Sequence, residues 1–92
     1  MSNERIFKLA SGTLVIRASE KKMALEAVAT IGCVSAVVNF PSSNEQDRDY
    51  TIKNFSDENA QPLFDWINDN VLTDSGQNIQ QLADELKEDE HV

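Results

Sequence analysis

The sequence predicts an α+β fold in the order ββαββαα, with a four-stranded, mainly antiparallel sheet packed against helices. Three observations lead there. A hairpin pattern opens the chain, strand-like patterns return between residues 33 and 55, and apolar residues recur at helical spacing from about residue 56 onward. In addition, "VIRASE" and "TIKNFSD" both run from a strand pattern through a base to a serine followed by an acid, as two ββα units would. Strand-to-helix junctions converge on capping serines in any case, so the echo supports the class without establishing a duplication.

In "RIFKLASGTLVIRAS", two runs rich in Ile, Phe, Leu and Val flank Ser11-Gly12. Glycine at that point suggests a tight turn using positive φ. Ser19 reads as an N-cap, with Glu20 where the helix dipole favours an anion. A helix over 20–31 would end at Gly32 in a left-handed cap. Its Met23, Ala24, Leu25, Ala27, Val28 and Ile31 cover more than half the helical wheel, which predicts a largely buried helix across the sheet. "CVSAVVNF" reads as a strand closed by Pro41, "PSSNEQDR" as a polar loop, and "DYTIKNF" as a fourth strand. Ser56, Asp57 and Glu58 open the next helix, with Pro62 expected in its first turn, where no amide donor is missed. Leu63, Phe64, Ile67 and Val71 form its apolar face. After "TDSG", Ile79, Leu82, Ala83 and Leu86 mark a last helix.

Ninety-two residues suit a single domain, 1–92, with an acidic helical part from about residue 56. No apolar stretch follows the first charges as in a signal peptide, and the longest apolar-rich run, 33–38, is too short to span a bilayer. The lone Cys33 forms no internal disulfide and is expected to act as a small hydrophobe. A cytoplasmic, reducing location without membrane contact is the expectation.

Catalytic chemistry finds little footing. The single histidine, His91, is the penultimate residue, where a Ser-His or Cys-His pair is expected to lack the rigid surroundings such a site requires. Asn44, Glu45, Asp47 and Asp49 offer the oxygen ligands that calcium favours, but without the glycine bend and closing glutamate of a calcium loop. Gly12, Gly32 and Gly76 stand alone, so no phosphate-cradling loop is present. The expectation is a protein that is not an enzyme and uses no cofactor and no metal.

Charge carries more information. The net charge is −8, yet residues 1–53 hold seven bases against six acids, while residues 54–92 hold ten acids against Lys87 alone. Direct nucleic-acid binding by the second half is opposed by like-charge repulsion. With Leu63 as reference, Asp65 and Asp69 lie opposite the apolar face and Trp66 falls between Asp69 and the core side. On the last helix Asp84, Glu85 and Glu88 oppose Ile79, Leu82 and Leu86, with Asp89 at the flank. A helix made for solubility alone would pair glutamate with lysine four residues on. Asp65–Asp69, Asp84–Glu88 and Glu85–Asp89 are instead like-charge pairs, each costing a few tenths of a kcal/mol. The competing explanation is an ordinary solvated face. For Trp66 the alternatives are a partly buried core residue and an interface anchor.

In size, acidity and missing chemistry, with "FDWINDNVLTD" and "LADELKEDEHV" as the relevant segments, the chain resembles as a class the small acidic inhibitors of phages and mobile elements. Anti-CRISPR and antirestriction proteins belong to that class. The resemblance implies a stoichiometric inhibitor that docks on the basic, nucleic-acid-binding groove of a target protein and mimics DNA with its carboxylates. Asp65, Asp69, Asp84, Glu85, Glu88 and Asp89 would supply charge, and Trp66 an apolar anchor. An acidic adaptor or regulatory module docking a basic partner, and a homo-oligomeric structural domain, are the rival expectations.

Overall fold

A computed structural model of the chain describes residues 4–19, 24–41 and 45–89, except for the side chains of Glu45, Glu88 and Asp89. Four strands come first: β1 (Glu4–Lys8), β2 (Thr13–Ala18), β3 (Ala24–Ile31) and β4 (Val34–Pro41). Helices α1 (Glu45–Asn54), α2 (Asp57–Asn70) and α3 (Ile79–Asp89) follow. The strands form an antiparallel meander in spatial order β1-β2-β3-β4. The α+β class and the four-stranded antiparallel sheet against helices are as the sequence predicts. The order along the chain is ββββααα rather than ββαββαα, because two elements exchange type.

The predicted helix over 20–31 is strand β3 where it is described, and residues 20–23 lie outside the described part. Alternation decides the matter. Ala27, Ala29 and Ile31 are buried with Leu25 partly so, whereas Glu26, Val28 and Thr30 face the other way. Ala24, Ala27 and Ala29 favour a helix by propensity, but here Ala27 and Ala29 make room for helices to lie close on the sheet. Packing overrides propensity. Ser19 is therefore no N-cap; its amide donates to the Ala24 carbonyl at 2.9 Å across the β2–β3 connection. Gly32 does adopt positive φ (60°), but at the first central position of the Gly32-Cys33 hairpin turn, while Cys33 stays at negative φ. That combination is the type II′ pattern. Cys33 is exposed in the turn rather than apolar filling.

Gly12 closes the first hairpin without positive φ. Leu9 and Gly12 exchange backbone hydrogen bonds at 2.8 and 3.3 Å around Ala10-Ser11. Glycine is needed here for space: a Cβ would meet the Thr30 carbonyl oxygen at 2.3 Å and the Phe64 ring at 2.8 Å.

The predicted fourth strand, together with the end of the loop before it, is helix α1, so Asp47 and Asp49 lie on a helix and not in a loop. Its sequence is polar nearly all round. Ile52 is its buried contact, and Phe55 just beyond packs edge-on against Phe7 with ring centroids 5.5 Å apart. The Arg5 guanidinium reaches the end of α1 from β1, donating to the carbonyls of Lys53 (3.1 Å) and Phe55 (2.6 Å) and lying 5.1 Å from the Phe7 ring centre. A cation at a helix C-terminus satisfies orphan carbonyls and complements the dipole. This cap comes from nearly fifty residues away, which hides it from local pattern reading.

Phe7, Leu14, Ile16, Ala27, Ala29, Ile31, Val34 and Ala36 from the sheet join Ile52, Ala60, Phe64, Ile67, Ile79 and Ala83 from the helices in one core. All three helices thus cover one face of the sheet. Pro62 lies in the second turn of α2 rather than the first, on the exposed side, where water can serve the Glu58 carbonyl that loses its amide partner. Among the described residues no helix is long and apolar enough to cross a membrane.

Replacing Arg5 with leucine should lower stability by about 1–2 kcal/mol, since two hydrogen bonds from a charged donor are lost. Urea melts measure the loss, and amide exchange should quicken most in α1.

Candidate functional site

Helix α2 begins at Ser56, which has the extended backbone of an N-cap (φ −101°, ψ 159°) but makes no side-chain cap bond. Asp57 and Glu58 occupy the first turn, where the dipole stabilises them, and no base stands in the last turn. Ala60, Phe64 and Ile67 point into the core. Directly opposite runs an exposed stripe of Glu58, Pro62, Asp65, Trp66 and Asp69, spaced so that all fall on one side of the helix. Trp66 is 49% exposed and has no place in the core cluster. Of the two roles open to it, the core role does not hold.

Glu58 and Pro62 join this stripe although the charge pattern alone does not single them out. Glu58 stands four, seven, eight and eleven residues before Pro62, Asp65, Trp66 and Asp69, and that helical spacing is the signal that marks them.

Helix α3 is fixed by a reciprocal cap that the "NIQQ" stretch encodes. The Asn78 side-chain oxygen accepts from the Gln81 amide at 2.8 Å, and the Gln81 side-chain oxygen accepts from the Asn78 amide at 3.1 Å. The next free amide, that of Gln80, donates to the Asn68 side chain of α2 at 2.9 Å, tying the two helices together. Asp69 follows Asn68 and Asp65 precedes it by three residues, so on the helix surface Asp65 is the member of the acidic stripe nearest this tie to α3. The loop between the helices is closed by the Thr73 amide donating to Gln77 at 2.8 Å, with Gly76 at φ 80°.

Of the sequence-predicted residues, Asp65, Trp66 and Asp69 share one face of α2, and Asp84 and Glu85 are exposed on α3. Glu88 and Asp89 belong to the last turn of α3, but their side chains lie outside the described part, as does His91. Three of the carboxylates are held by glutamine amides: Gln61 donates to Asp65 (2.8 Å), Gln80 to Asp84 (2.9 Å) and Gln77 to Glu85 (2.8 Å). A neutral donor orients a carboxylate without cancelling its charge. By contrast, Glu26 on the sheet pairs with Arg17 at 2.8 Å. Among the described residues no group of three His, Cys, Asp or Glu side chains is placed to hold a metal ion.

Compared with protein-family models, curated proteins and solved structures, the chain matches none.

Trp66→Ala should change stability by less than about 1 kcal/mol, whereas Phe64→Ala should cost roughly 3–5 kcal/mol. Trp66 is the only tryptophan. Its fluorescence should emit at long wavelength and be quenched more by caesium than by iodide, because surrounding carboxylates attract the cation.

Proposed function

We propose that the protein acts without catalysis, as a stoichiometric inhibitor whose acidic helices occupy a basic, nucleic-acid-binding surface of a target protein. The observation that carries this reading is Trp66. A half-exposed tryptophan shares the outer stripe of α2 with Glu58, Asp65 and Asp69, and no lysine or arginine stands on the same helix. Large aromatics are the usual anchors of protein interfaces, and a stripe of carboxylates beside one favours a basic partner surface.

The spacing of the acids is compatible with phosphate mimicry. Asp65 and Asp69 are about 6 Å apart along the axis, and Glu58 lies about 10 Å before Asp65. Successive phosphates on a DNA strand advance about 3.4 Å along the duplex and are farther apart through space. The glutamine contacts favour the same reading, since they hold Asp65, Asp84 and Glu85 in place and leave their charge to a partner. Glu88 and Asp89 would extend the field at the end of α3. Anti-CRISPR and antirestriction inhibitors from phages and mobile elements are the class whose mode of action this describes.

The test is capture from lysate on the immobilised chain, followed by kinetics with the captured protein. Neutralising Asp65, Asp69, Asp84 and Glu85 to Asn or Gln should slow association at least about tenfold at low salt, while Trp66→Ala should mainly speed dissociation. The captured protein should lose its nucleic acid while bound, and the chain alone should shift neither DNA nor RNA in a gel at low salt. Unchanged association of the neutralised variant would remove the acidic surface from the site. A partner that keeps its nucleic acid would make the protein an acidic adaptor rather than an inhibitor.

A further inference from the structure

The face of the sheet turned away from the helices has an order of its own. Strand register aligns Ile6, Val15, Val28 and Val37 in one row across all four strands. Ile6 is 58% and Val37 46% exposed, and the two central valines are partly exposed. One row to one side stand Glu4, Arg17, Glu26 and Asn39; one row to the other stand Lys8, Thr13, Thr30 and Ser35. The interior polar groups are already paired on the face: Arg17 with Glu26 at 2.8 Å and Thr30 with Ser35 at 2.9 Å.

Charge says what can cover this row. The face carries two acids and two bases, whereas the chain as a whole carries −8. Another copy of the chain is repelled by the acidic helices but not by this neutral face. The face is also complementary to itself. If two sheets stack about a two-fold axis running along the apolar row, each strand crosses its own counterpart in reverse. Ile6, Val15, Val28 and Val37 then meet their equivalents, and Glu4 of each copy lies over Lys8 of the other. We propose that the open sheet face is a self-complementary dimer interface, with the apolar row at its centre and reciprocal Glu4–Lys8 contacts at its rim.

The geometry is that of two aligned sheets packed about 10 Å apart. It is an isologous contact, as two-fold symmetry requires. Four strands and three rows span roughly 20 Å by 20 Å, which is smaller than the ~800 Å² per partner of a standard stable interface. The dimer is therefore a weak one, dissociating in the micromolar range. It leaves both helical layers facing outward and does not depend on what the acidic helices bind.

Sedimentation equilibrium on the full chain, from roughly 1 µM to 1 mM, tests the proposal. The expected result is a reversible monomer–dimer equilibrium. Ile6→Thr with Val37→Thr keeps β-branched residues in the strands and should weaken the dimer at least about tenfold while melting remains cooperative. Glu4→Lys should also weaken it, and adding Lys8→Glu should restore it. That rescue separates a contact between copies from a folding effect, because on its own sheet Glu4 faces Arg17, not Lys8. A monomer at every concentration would overturn the proposal. So would a dimer indifferent to the threonine pair, which would place association at a sheet edge. A monomer whose threonine variant loses a captured partner would overturn it as well, and would give the face to a different protein.

Discussion

Phe64 projects from α2 into the angle of the first hairpin, so close to Gly12 that even a methyl group there would touch its ring. The ring is 1% exposed, and Leu14, Ile67 and Ile79 are as fully enclosed. The helices can come this near because the sheet beneath them is lined with small residues. Ala27, Ala29 and Ala36 lie on the inner face of β3 and β4, while larger Phe7, Leu14 and Ile16 fill β1 and β2. Large and small side chains thus interlock across two layers, which is how interiors reach crystal-like density. A bulkier residue at any of these alanines would lift α2 and α3 from the sheet.

That one-sided packing has consequences for both surfaces. With three helices on one face, the row Ile6, Val15, Val28 and Val37 on the other face stays exposed or partly exposed. The chain's charges are divided in the same way. Acids gather on α2, α3 and their connecting loop, where glutamines orient them, whereas the open sheet face pairs Arg17 with Glu26 and stays neutral. The molecule therefore presents one acidic surface with Trp66 exposed on it, and one surface where an apolar row lies between two polar rows whose charges balance. Electrostatics favours different partners on the two sides.

Arg5 shows how closely the layers are joined. Its guanidinium ends α1 from the edge of the sheet, and its neighbour Phe7 receives Phe55. A helix as polar as α1 has little amphipathic drive of its own, so its place depends on this long-range cap and on Ile52.

Local signals along the chain were enough for the α+β class, the first hairpin, β4, α2, α3 and the outward position of Asp65, Asp69, Asp84 and Glu85. In each case a strong period or turn signal lies within a few residues, and it agrees with the tertiary environment. Elsewhere long-range packing settled the outcome. "ALEAVATI" carries both a helical and an alternating pattern, and its alanines argue for a helix until the need to seat α2 and α3 makes them strand residues. "DYTIKNF" alternates like a strand, yet a cap from Arg5 and a single buried isoleucine hold it in α1. The row Ile6–Val15–Val28–Val37 exists only through register, since its members lie on four strands and share no sequence spacing. Local chemistry can be read from neighbours along the chain; alignment across strands is created by folding.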